Sequence, residues 1–227
     1  SITVGDSNVN GIVSTSPITV NSDAFFHSGS AGLNFSGTFT SNANDVSFEV
    51  ATDSSVAALN LGGGALTKAG AGLLDLSAAN TYSGATNLNG GTVQLSNITS
   101  FGSTSALNFN GGTAKFSASA SVPSVPIVLN SGGGGVEVDS GLNVSLSNVI
   151  SSSGAFTKTG AGTLTLSGTN TYTGATTISA GTLSVSGSLS DTTAVNVGAS
   201  GIYGLSADDT VGSIEGSGAI NLGSSEL

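Results

Sequence analysis

Apolar and polar residues alternate along this chain in short bursts separated by turn-rich stretches. The motif Gly-x-apolar-x-apolar recurs as "GLLDLS" from Gly72, "GTVQLS" from Gly91, "GTAKFS" from Gly112, "GTLTLS" from Gly162, "GTLSVS" from Gly181 and "GIYGLS" from Gly201. Looser versions start at Ser22 ("SDAFFH"), Asn44 ("NDVSFE") and Gly134 ("GGVEVD"). Period-two alternation over four to six residues, bounded by Gly, Asn, Ser and Thr, predicts short half-buried strands. Leu74, Leu76, Val93, Leu95, Ala114, Phe116, Val136, Val138, Leu164, Leu166, Leu183, Val185, Tyr203 and Leu205 are the positions expected to face inward.

The starts fall at 22, 44, 72, 91, 112, 134, 162, 181 and 201, so the successive intervals are 22, 28, 19, 21, 22, 28, 19 and 20. The order of intervals repeats. At an offset of 90, residues 65–96 and 155–186 agree at 18 of 32 positions, including "TK.GAG", "NTY.GAT" and "GT". Four coils of about 22 residues thus compose a superrepeat, each coil expected to carry one short strand and a turn-rich return. One such coil cannot bury its apolar face and has to stack on the next, which gives parallel sheets hydrogen-bonded from coil to coil. The expected fold is all-β: a right-handed parallel β-helix of about ten coils, running as a single segment over 1–227. A sandwich or Greek-key barrel also spaces short strands regularly, but has no reason to repeat its corner sequences at fixed intervals.

Composition agrees with strands and argues against helix. Gly is 35 of 227 and charged residues are 7%, while Ser, Thr and Asn compete with a helical backbone through their side chains. Disorder is excluded by a 37% hydrophobic share that falls in runs able to bury.

Charge and residue type remove several function classes. With 3 cations against 13 acids the net charge is −10, and no Arg is present, so a phosphate backbone is repelled rather than neutralised. Nucleic acid and anionic membrane surfaces are not expected partners. Cys is absent, which removes disulfides, thiol catalysis and thiolate metal sites. No apolar run reaches membrane-spanning length, so no membrane insertion of this segment is expected. The start "SITVGDSNVNG" lacks the basic and apolar regions of a signal peptide, so an exported protein would carry this chain as a processed or excised piece.

With "LTKAGAGLLDLSAANTYSGATNLNGGTVQLS" and "FTKTGAGTLTLSGTNTYTGATTISAGTLSVS" in view, the chain resembles the autotransporter-associated β-strand repeat of secreted bacterial passenger domains. The second copy is the more typical; in the first, Asp75, Asn87 and Asn89 replace Thr and Ser positions. The resemblance implies a β-helical stalk at the outer surface of a Gram-negative cell, often within a long adhesin or fibre. It implies no activity.

Candidate chemistry is sparse. His27 is the single histidine, so no imidazole-supported triad or zinc site can be assembled, and beside "AFF" it reads as a turn residue at the end of a strand. Glu137 and Asp139 sit two apart with outward side chains flanked by Val136 and Val138, and Asp208 adjoins Asp209. Both pairs read as solvated surface, with a weak calcium site or a catalytic pair as the alternatives.

Lys68 and Lys158 occupy the same place in both copies and read as corner residues whose charge discourages edge pairing, the alternative being an anchor for a carboxylate or a covalent cross-link. Tyr82 and Tyr172 of "NTY" read as packing over a turn rather than as a sugar platform. Sequons occur at Asn34, Asn97 and Asn143 and carry little meaning if the source is bacterial, as the resemblance implies. No catalytic, cofactor-binding or metal residue is assigned.

The function these features predict is structural: an extracellular β-solenoid module of a bacterial surface protein, partnered by its own neighbouring coils and by a host or matrix surface. A subunit stacking end to end with copies of itself into a filament is one alternative. A carbohydrate-binding or carbohydrate-cleaving β-helix, which would need a groove lined by aromatics and acids, is the other.

Overall fold

Alternation of inward apolar and outward polar residues produces parallel strands throughout a computed structural model that describes residues 2–6, 12–76, 78–96, 100–122 and 125–223. No helix occurs among the described residues. The chain forms two compact units, Ser1–Ala114 and Lys115–Leu227. Each is a parallel β-solenoid, with about ten turns in all.

In the first unit the strands Ile2–Asp6, Ala24–Ser28, Val46–Val50, Leu66–Ala69, Thr86–Leu88 and Leu107–Phe109 pair in sequence. Their register runs 2, 24, 46, 66, 86, 107, so each turn of the solenoid takes 22, 22, 20, 20 or 21 residues. A second row stacks Asn34–Thr40, Ser54–Gly62, Leu73–Leu76 and Thr92–Leu95 in the same manner. Between the two rows lies an aromatic core in which Phe26 packs within 5.2–5.4 Å of the Phe35, Phe39 and Phe48 rings.

In the second unit the register 134, 156, 176, 195, 214 gives turns of 22, 20, 19 and 19 residues. Here the strands Thr176–Val185 and Ala194–Leu205 are long enough to bend round a corner. Thr176–Ile178 pairs with Phe156–Lys158, and Thr182–Val185 pairs with Thr163–Leu166.

Each residue expected to face inward does so, and none of them is more than 4% exposed. The strand count per coil differs from the expectation. A coil carries two or three strands, and the 28-residue intervals disappear: Val46 stacks on Leu66, twenty residues on, while Leu73–Leu76 follows in that same coil on another face. The interval from 44 to 72 therefore joins one face of one coil to a different face of the next. Among the strands outside the motif are Leu66–Ala69 and Phe156–Thr159, whose burial alternates although a lysine holds an inward position. His27 also departs from expectation, lying within the strand Ala24–Ser28 with its ring outward rather than in a turn.

Candidate functional site

The repeated segment "TK.GAG" is built around a buried cation. In a strand the side chains at alternate positions share a face, so Leu66 and Lys68 both point into the solenoid, as do Phe156 and Lys158. Lys68 stacks between Phe48 and Leu88 of the adjoining coils, and Lys158 between Val136 and Ile178. Both lysines are 0% exposed.

An ammonium has three donors, and each of these finds a backbone carbonyl. Lys68 Nζ donates to Ala69 O at 2.8 Å, Gly70 O at 2.8 Å and Gly90 O at 3.1 Å. Lys158 Nζ donates to Thr159 O at 2.6 Å, Gly160 O at 2.7 Å and Ala180 O at 3.2 Å. Two acceptors come from the turn that follows the lysine, and the third from the next coil.

Loss of hydration lowers each ammonium to about 8, an effect that the charge of Glu137 partly opposes at Lys158. Hydrogen bonds to three carbonyls favour the charged form, so both lysines carry a proton at neutral pH. Lys68 and Lys158 are therefore not corner residues whose charge guards a sheet edge, since both are buried inside strands. Their protons are consumed inside the fold, and a full shell of carbonyls leaves no room for an incoming carboxylate.

Gly91 and Gly181 complete the geometry. Their φ angles are 60° and 67°, in the left-handed region that favours glycine. A Cβ on Gly91 would lie 2.4 Å from Gly70 O and 2.7 Å from Lys68 Nζ; one on Gly181 would lie 2.4 Å from both Gly160 O and Gly162 O.

The "NTY.GAT" block makes a second set of bonds between coils. Asn80 accepts from Leu59 N in the preceding coil at 2.7 Å and donates to Ser100 O in the following one. Asn170 accepts from Ile150 N at 3.1 Å and donates to Ser188 O at 2.9 Å. Asp209, expected with Asp208 as solvated surface, is instead buried and stands in the equivalent place, accepting from Leu189 N at 3.1 Å. Burial pushes its carboxyl above the usual range, a rise that the Asp191 charge reinforces and bonds from Leu189 and Thr210 N–H groups reduce.

Tyr82 and Tyr172 are buried, with their hydroxyls 2.9 and 2.6 Å from Thr86 Oγ1 and Thr176 Oγ1. The Thr86 hydroxyl in turn donates to Thr104 of the next coil at 3.1 Å. These rings are packing elements and present no face to a sugar. Their role was legible in the "NTY" spacing, whereas the inward Thr86 and Thr176 were not, because a hydroxyl at an inward position resembles any other turn threonine.

The outward acids are engaged from a neighbouring strand. Lys115 Nζ lies 3.0 Å from Glu137 and 3.4 Å from Asp139, and these contacts raise its ammonium above the ordinary lysine range. His27 Nδ1 faces Glu49 at 3.6 Å across the sheet, and its ring is stacked beside Phe25 at 6.5 Å. Among the described residues no three His, Cys, Asp or Glu side chains converge on a possible metal position, and no helix is long and apolar enough to cross a membrane. Asn34 and Asn143 are exposed on strands, and the sequon at Asn97 lies outside the described residues. An outward hollow of about 340 Å³ brings Asp53, Asp75, Asn34 and Ser55 together without an aromatic ring.

Fold and site together define a parallel β-solenoid whose coils are tied by a buried lysine. Residues 66–95 and 156–185, the two segments that hold the lysines and their acceptors, match the passenger-associated-transport-repeat. The chain therefore carries two copies of that repeat. Comparison of the chain with curated proteins and with solved structures yields no match.

Proposed function

We propose that this chain is a structural segment of a secreted bacterial surface protein, a passenger-type stalk of an adhesin or fibre whose work is to supply length and rigidity outside the cell. A passenger segment of an autotransporter fits both the two repeat copies and the solenoid. The observation that carries the reading is the fate of the buried reactive groups. Lys68, Lys158, Tyr82 and Tyr172, which would serve chemistry if they opened to a cleft, are all directed into bonds within or between coils. A right-handed winding is part of the proposal, on the general preference of parallel crossovers for that hand.

Surface display tests this reading. Fused to a secretion signal and an outer-membrane barrel, the chain should reach the cell surface in a protease-resistant form, and a scrambled sequence of the same composition should not. The purified chain should leave a panel of acidic and neutral polysaccharides uncut. Cleavage of any of them, or display indistinguishable from the scrambled control, would overturn the proposal.

A further inference from the structure

The matched segments are longer than one coil. Residues 66–95 span 30 positions, whereas the solenoid step from Leu66 to Thr86 is 20. The excess reaches through Gly90 and Gly91 to the end of the strand Thr92–Leu95, so the segment includes part of the following coil. In the second copy residues 156–185 cover the step from Phe156 to Thr176 and continue to Val185, the end of its strand.

We infer that the repeat unit is a joint between two coils rather than a coil: "TK.GAG" is its donor half, the Gly90-Gly91 or Ala180-Gly181 corner is its acceptor half, and the lysine ammonium latches one to the other. Three features support this assignment independently of one another. The third acceptor lies 22 residues beyond the lysine in both copies, at Gly90 and at Ala180. The residue after that acceptor is in both copies a glycine of positive φ, and at Gly91 a Cβ would run into the ammonium itself. Finally, neither lysine forms an ion pair among the described residues or has exposed surface to solvate its charge, and the only acid that acts on either is Glu137, whose charge reaches Lys158 without a salt bridge.

A latch of this form has a direction. The two near acceptors belong to the lysine's own turn and stay with it, while the far one arrives only when the following coil docks. Before docking, the ammonium has one unspent donor and Gly90 or Ala180 one unpaired carbonyl, and burial of either without its partner is costly. Each repeat therefore ties the opening of the following coil to the breaking of a charged hydrogen bond. The inference rests on the solenoid fold and not on export, so it can fail while the stalk reading stands.

Amide hydrogen exchange on the full chain, resolved by segment, reads the latch. In Lys158→Met, residues 160–162 and 176–185 should exchange roughly 10-fold faster or more while 66–95 keep their protection, and Lys68→Met should give the reciprocal pattern over 70–72 and 86–95. Acceleration spread evenly over both segments, or confined to the lysine's own turn, would overturn the joint. Should a variant not fold, the wild-type ammonium protons provide the measurement. Observed through ¹⁵Nζ at pH 6, those of Lys68 and Lys158 should exchange with water at least about 100-fold more slowly than those of Lys115, as expected for buried, fully bonded donors; equal rates would refute the latch.

Discussion

The ammonium of Lys158 lies 3.2 Å from the carbonyl oxygen of Ala180, one coil further along the chain, and Lys68 stands in the same relation to Gly90 at 3.1 Å. Replacing either lysine by methionine keeps an unbranched side chain, one atom shorter, and removes all three donors. The buried charge disappears, a gain that offsets part of the loss, but three carbonyls in a closed interior lose the ammonium they accept from. Lys158→Met is expected to destabilise its unit by about 1–3 kcal/mol. A lower urea midpoint with an unchanged slope would be the signature, and an unchanged midpoint would show that the carbonyls find other donors.

Stability should rise with pH on the alkaline side before it falls. Folding lowers both lysines from 10.5 to about 8, so between these values the unfolded chain holds protons that the folded chain has released. Unfolding then takes up protons, and it becomes less favourable as pH rises through this window. The buried tyrosines act in the opposite sense. Burial raises Tyr82, Tyr172 and Tyr203 above the ordinary value of 10.0, so above pH 10 the unfolded chain loses phenolic protons that the folded chain keeps, and stability falls. Urea midpoints measured from pH 7 to 11 should pass through a maximum between about 9 and 10.5. A steady decline from pH 8 upward would contradict the buried-lysine contribution.

Most of the stacking was legible in the sequence because inward positions filled by Leu, Val and Phe declare the strand period directly, as in Leu164 and Leu166. Strands that do not follow a Gly-x-apolar-x-apolar start were not, whether their inward residues are apolar, as Phe35 and Phe39 are, or polar, as Lys68 is. Leu66-Thr67-Lys68-Ala69 alternates as strictly as any other strand, but lysine at an inward position breaks the apolar pattern, so the strand was overlooked and the spacing of coils acquired false 28-residue gaps. The same ambiguity hid Thr86 and Thr176, buried hydroxyls that accept or donate within the tyrosine network. That the lysines recur at one offset was visible; what they bond to was not, because their acceptors are backbone carbonyls, which every residue possesses. His27 was misplaced for a related reason, since an outward ring beside Glu49 leaves no trace in a hydrophobic pattern.

Asp209 occupies a place that the repeats give to asparagine. Asn80 and Asn170 accept a backbone N–H from the preceding coil and donate to a carbonyl of the following one. Asp209 makes the first of these contacts, to Leu189 N, with a carboxyl that burial pushes upward. A group whose pKa is raised on folding contributes stability at low pH and loses it as pH rises through the folded value, so at neutral pH the carboxylate opposes folding. Asp209→Asn keeps the acceptor and removes the charge. The substitution should raise stability at pH 7 by about 1 kcal/mol, with the difference from wild type shrinking toward pH 3. A lower thermal midpoint for the variant at pH 7 would mean that the carboxylate has a partner which the asparagine cannot replace.

Tyr172 and Tyr203 should respond differently to the loss of a single oxygen. Both rings are 0% exposed. The Tyr172 hydroxyl is 2.6 Å from Thr176 Oγ1, whereas the Tyr203 hydroxyl is buried without a hydrogen-bond partner among the described residues. Tyr172→Phe removes one member of a buried pair and leaves the threonine hydroxyl without it, at a cost of about 1–2 kcal/mol. Tyr203→Phe removes a polar atom that lost its water on folding and gained nothing in return, so it should be neutral or stabilising by up to about 1 kcal/mol. The two variants leave the ring and its packing intact, which confines the difference to the hydroxyls. Thermal midpoints that fell equally in both would show that Tyr203 is bonded in solution, while a fall in Tyr172→Phe alone would locate the stabilising contact in the "NTY.GAT" block and not in the aromatic stack as a whole.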